Sequence, residues 1–130
     1  MRALLAAIAL AALASCEGDE TISGYSDTKV TWVLEELDGV PFTARATITF
    51  PEEGKIAGEA PCNRYFGAQT APYPWFDVDG VGATRMACPD LDAEGRFFAA
   101  LERVTLAEVA GNTLILSTED RVEMVFKAQP

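Results

Sequence analysis

The chain has 130 residues, 49% of them hydrophobic, and sets 20 Asp and Glu against 10 Lys and Arg for a net charge of −10, with no histidine. That balance argues against a nucleic-acid binder, which needs Lys and Arg to neutralise phosphates, and equally against a basic patch for anionic lipid. A chain without histidine also lacks the usual general base near neutral pH and the commonest metal ligand.

Met1-Arg2 is followed by an uncharged run of Ala, Leu and Ile from Ala3 to Ala14. A basic start and a brief apolar stretch read as a secretory signal peptide. About 12 apolar residues are too few to span a bilayer, which needs roughly 20. Leu13-Ala14-Ser15-Cys16 resembles a bacterial lipobox. The resemblance implies that residues 1–15 are a lipoprotein signal peptide and that Cys16 carries lipid; an ordinary signal peptide cut elsewhere is the alternative. Residues 16–29 would then be a lipidated polar tether, since Glu17 to Lys29 offers little to bury. Its full reach is roughly 40 Å. Residues 30–130 make one domain of ordinary size.

Strands come first. Val30 to Leu37 places Val30, Trp32 and Leu34 on one face, and Asp38-Gly39 marks a turn. Arg45 to Phe50 alternates, with Ala46, Ile48 and Phe50 inward. Pro51-Glu52-Glu53-Gly54 is a turn, and Lys55 to Glu59 a short strand in which Gly58 predicts a bend or a close backbone approach. Phe76 to Val81 is a weaker strand. A helix follows over about Leu91 to Val104, capped by Asp90 or Asp92, with Leu91, Phe97, Phe98, Leu101 and Val104 as its buried stripe. Gly95 weakens it by about 1 kcal/mol relative to Ala, which a closely approaching neighbour would explain. The end is a β-meander in which Leu114, Leu116, Val122, Met124 and Phe126 share a buried face. The expected fold is α+β: a curved antiparallel β-sheet, open and barrel-like, with one main helix packed on it and one disulfide.

With Cys16 lipidated, Cys62 and Cys88 remain as a pair, and in an oxidising compartment such a pair reads as a disulfide. Closing that loop stabilises by roughly 3.5 kcal/mol in the chain-entropy model. Buried free thiols or a metal site are the alternatives, but structural zinc wants about four Cys or His ligands.

Together these segments resemble the META, or HslJ-like, domain. The resemblance rests on Trp32-Val33-Leu34, Phe50, and Gly58 before Cys62-Asn63-Arg64-Tyr65-Phe66-Gly67. It continues through Thr84-Arg85-Met86-Ala87-Cys88-Pro89, Glu94 with Phe97 and Leu101, and Leu114-Ile115-Leu116 before a last strand. Ala60-Pro61 departs from the family's usual Gly next to the Cys. The resemblance implies a small mixed domain of secreted bacterial proteins, often lipoproteins, with a Cys–Cys pair. It implies links to envelope stress, motility or secretion, and no established catalysis. A secretion-system pilotin with a lipid-binding groove shares this fold, which brings in an apolar ligand.

No motif supports an enzyme. Nucleophile elbow, phosphate loop and dinucleotide fingerprint are all missing, and Asp77-Val78-Asp79-Gly80 is a turn rather than a calcium loop. Adjacent carboxylates at Glu35-Glu36 and Glu52-Glu53 read as a solvated face. No cofactor and no metal are expected. Asn63 is expected to hold a tight turn by bonding nearby backbone. Glu94 lies on the apolar side of the helix, so it is expected to pair with Arg85 or Arg64, or to accept loop N–H groups. Tyr73 and Trp75 sit in a rigid Pro-rich stretch that reads either as packing or as a recognition surface.

The expected function is a membrane-anchored, non-catalytic envelope module in assembly or stress, facing the periplasm of a bacterial cell from an unspecified membrane. The alternatives are an inhibitor of a periplasmic hydrolase and an apolar-ligand-binding, pilotin-like protein. The expected partners are the lipid anchor's membrane, an envelope protein or an apolar ligand, and no nucleic acid.

Overall fold

The computed structural model describes residues 18–129. The signal peptide and Cys16 lie outside them. Among the described residues, two antiparallel sheets and one α-helix make up the domain. The larger sheet contains β1 (Trp32–Leu37), β2 (Val40–Pro41), β3 (Thr47–Ile48), β7 (Leu106–Ala110), β8 (Thr113–Ser117) and β9 (Val122–Ala128), in the order β2-β1-β9-β8-β7 with β3 also on β1. The smaller sheet is β4 (Lys55–Glu59), β5 (Arg64–Ala68) and β6 (Asp79–Ala83). A single bridge, Thr49 to Ala57, links the segment after β3 to β4, and another ties Trp75 to Leu106 at the start of β7, so the curve stays open. The expected single curved sheet is thus two open sheets.

The alternating strands behave as their pattern dictates. Ala46, Ile48 and Phe50 are fully buried, as are Leu114, Leu116, Met124 and Phe126. Two bulges shift the alternation. One between Leu34 and Glu36 turns Leu37 inward. The other, at Leu116–Ser117 opposite Val122–Met124, exposes Val122 and buries Glu123 instead. A bulge adds one residue to one strand, and the alternation slips with it.

Helix α1 (Leu91–Arg103) buries Glu94, Phe97, Ala100 and Leu101. Leu91, expected inside, is exposed, and Phe98 is half-buried. Asp90 occupies the cap position without a side-chain bond; its carbonyl accepts the Glu94 N–H instead. Asp92 and Glu94 still favour the positive end of the helix. Around Gly95 there is open space, so no neighbour explains that glycine. Gly58 does meet a close approach: a Cβ there would lie 2.2 Å from the Thr47 carbonyl oxygen.

The flexible tether is corrected over its described part. Residues 19–26 fold onto the domain through a 3-10 turn at Ile22–Gly24, with Ile22 only 2% exposed. The Asp19 carboxylate accepts from Thr21 and from the Ser23 hydroxyl. Trp32 Nε1 donates to Ser26 Oγ at 3.0 Å, and the Tyr73 N–H donates to the Glu20 carbonyl at 2.7 Å. The stretch looked polar because its polar groups bond one another and the domain, while one isoleucine provides the apolar contact.

Candidate functional site

Two features stand out from the scaffold, a polar hub beside the disulfide and a rigid aromatic loop. The hub starts with Cys62 and Cys88, bonded with Cα atoms 5.5 Å apart. Beside them Asn63 is buried, and its amide makes four bonds. Oδ1 accepts from the Met86 N–H at 2.6 Å and the Thr84 hydroxyl at 2.9 Å; Nδ2 donates to the Met86 carbonyl at 3.0 Å and to Glu94 Oε2 at 2.9 Å. That is the full bonding capacity of an amide side chain. Glu94, 5% exposed, also accepts the Cys62 N–H at 3.1 Å. The loop, the segment after β6 and the helix thus converge on two polar side chains.

Glu94 therefore follows the second of the two expectations, accepting loop N–H groups. It makes no ion pair with Arg64 or Arg85 among the described residues; both arginines are exposed. Asn63 reaches well beyond a local turn, to Met86 and Glu94. A cleft of about 420 Å³ opens beside the hub, lined in part by Arg45, Pro61, Arg64, Thr84 and Met86.

Tyr65 links hub to core. Its ring meets Phe97 and Phe98 edge-on at 5.5 Å, and its hydroxyl donates to the Thr47 carbonyl at 2.6 Å. Burial pushes that phenol well above its usual range.

The aromatic loop runs from Ala71 to Asp77. Trp75 is 53% exposed, while its own N–H donates to the Pro72 carbonyl at 2.8 Å. The loop borders β7, where the Phe76 N–H donates to Thr105 and the Ala107 N–H to the Pro74 carbonyl. Tyr73 stacks on exposed Tyr25 with ring centroids 4.4 Å apart, and its hydroxyl accepts the Val109 N–H. So Tyr73 packs, and Trp75 presents its ring to solvent.

The family model for the META domain matches residues 26–130. The chain belongs to the META domain family. No curated protein matches the sequence. Among solved structures, an NMR structure from Burkholderia xenovorans is 24% identical with a TM-score of 0.59, covering 77% of this chain and 81% of that one. A second NMR structure, also 24% identical, has a TM-score of 0.61 and covers 77% and 89%. A DUF4847 family protein from Bacteroides vulgatus is 14% identical with a TM-score of 0.66, covering 84% and 97%. At these identities the likeness concerns the fold.

Sequence reasoning overlooked Gln69 and Tyr25 and named Thr84 and Met86 only as part of the META motif. Gln69 is buried, and its Oε1 accepts from the Ala71 and Asp77 N–H groups at 3.0 Å each. It fixes both ends of the aromatic loop. A lone glutamine before a Pro-rich stretch gives no periodic signal, so only the fold shows its role.

Proposed function

We propose that this META domain is a membrane-anchored, non-catalytic module of the bacterial envelope that recognises a protein partner through the Trp75 loop. One observation carries the reading: a large aromatic side chain stands in solvent on a loop whose backbone is bonded on several sides. A preformed loop loses little entropy on docking, and Trp is enriched among residues that dominate interfaces. Lipid on Cys16 would hold the domain at the membrane facing the periplasm; the lipobox resemblance supports this. The link to assembly or stress comes from the family resemblance.

A photo-activatable residue at position 75 in intact cells tests the proposal. A discrete protein adduct is expected, absent when the same residue replaces exposed Glu119 on another turn. No adduct, or the same adducts at both sites, overturns it.

The exposed loop together with the net charge of −10 supports a second reading, inhibition of a basic hydrolase. Loss of lysozyme activity on titration, relieved by Trp75→Ala, would mark that case. The apolar-ligand reading has less support. The groove between α1 and the β1–β2 turn measures about 230 Å³ and is flanked by Asp38, Arg96 and Arg103.

A further inference from the structure

We propose that the outer edge of β6 is a docking site for an extended segment of a partner protein, which joins the small sheet as a fourth strand. This rests on reading the domain as an interaction module, but not on the Trp75 loop.

The edge is open. Among the described residues β6 pairs with β5 on one side only. Past its end the chain stays in register: the Thr84 N–H donates to the Arg64 carbonyl, and Met86 gives its N–H and C=O to the Asn63 amide. The Asn63 side chain thus acts as a substitute peptide group, extending the ladder beyond β5. Backbone groups alternate along an antiparallel strand. With Thr84 and Met86 facing inward, Ala83, Arg85 and Ala87 direct theirs outward, and all three are exposed.

The edge is also held ready. An unpaired stretch between a strand and a helix would ordinarily be loose. Here a buried Asn, a buried Glu and the disulfide fix it extended, so its ordering cost is met before any partner arrives. Natural edges are commonly guarded by Lys, Pro or inward charges. Gly80-Val81-Gly82-Ala83 has none, with charges only at Asp79 before it and Arg85 after it, and the Phe66 ring lies over Gly82.

Side chains define the partner. Phe66 lies opposite Gly82, with Arg64 and Met86 on the same face. Phe66 is 67% and Met86 64% exposed. Arg64 and Arg85 form no ion pair among the described residues, although the chain as a whole is acidic. The matching segment alternates apolar residues with carboxylates, a β-augmentation geometry. A second copy of this chain, at net charge −10, is disfavoured by repulsion.

The test uses the full mature chain and a short capped peptide alternating Val and Glu, followed by amide NMR. Saturable binding is expected, with slowed exchange at Ala83 and Arg85. Ala83→Pro removes one outward donor without touching the Asn63 contacts, and should weaken binding about tenfold or more. An N-methylated peptide should fail, whatever the folding of Ala83→Pro. A Lys-for-Glu peptide should bind more weakly than the Glu peptide. Trp75→Ala should leave binding unchanged, which separates this proposal from that of the Trp75 loop. Absent saturable binding, equal binding of the N-methylated or Lys peptide, or protection at other amides overturns it. So does protection of Ala83 that rises with protein concentration without peptide, since a second copy would then fill the edge.

Discussion

The two sheets are stabilised by different physics. The larger is held by apolar alternation: Trp32, Leu34, Leu114, Leu116, Met124 and Phe126 are all buried. The smaller buries few large side chains from its strands, Ile56 and Tyr65 among them, and relies on the disulfide and the Asn63–Glu94 hub. Apolar burial is non-directional and tolerates change, whereas a buried polar network depends on each partner being present. The region with the weaker core is therefore the one whose geometry is most tightly specified. It is also where the exposed edge and the cleft lie.

Phe126→Ala should make the largest difference. It empties a fully buried site in the large sheet and should cost about 3–5 kcal/mol in denaturant unfolding. Hydrogen exchange should rise throughout the domain, because that core is shared. An effect confined to one sheet would break the comparison.

Asn63→Ala should cost somewhat less, about 2–4 kcal/mol, since it leaves Glu94 and the Met86 backbone short of partners. Here exchange should rise first at Met86 and Cys62 and leave β8 and β9 protected. Uniform loosening would mean that the hub is no more local than the apolar core.

Glu123 sharpens the comparison from the other direction, as a buried carboxylate in the large sheet. Its oxygens accept from Arg103 at 2.8 Å and Arg121 at 3.1 Å. The hydrogen bond from Arg103, assisted by that from Arg121, holds its carboxyl below the usual range despite burial. A folded pKa below the unfolded value of about 4.5 means the stabilisation is complete above that pH. It is lost as pH falls through the lowered folded value. Asp19 has the same sign: burial raises its carboxyl, but bonds from Ser23 and Thr21 outweigh that. Glu123→Gln should cost about 1–2 kcal/mol at neutral pH and flatten the acid limb of stability against pH. An unchanged acid limb in unfolding measurements would remove Glu123 as its source.

What was readable in the sequence follows the same division. Alternation in Arg45 to Phe50, the meander's Leu114 and Phe126, the helix and the cysteine pair could all be read directly. Each is a local pattern or a pairing with one natural partner. Val122 and Leu91 were misplaced because a bulge shifts the strand's alternation without leaving a mark in it, and because Leu91 stands at the exposed first position of the helix. Glu94 bonding loop N–H groups was foreseen as one outcome beside an arginine pair or a solvated carboxylate, and packing chose between them.

By itself the sequence determined the class of fold, the staple and the family, because apolar period, turn residues and cysteine spacing are set along the chain. Tertiary structure decided what Asn63, Gln69 and residues 19–26 do. Their hydrogen-bond partners lie on other segments, as with Asn63 and Glu94, 31 positions apart, and a partner's identity is fixed only once the backbone has folded.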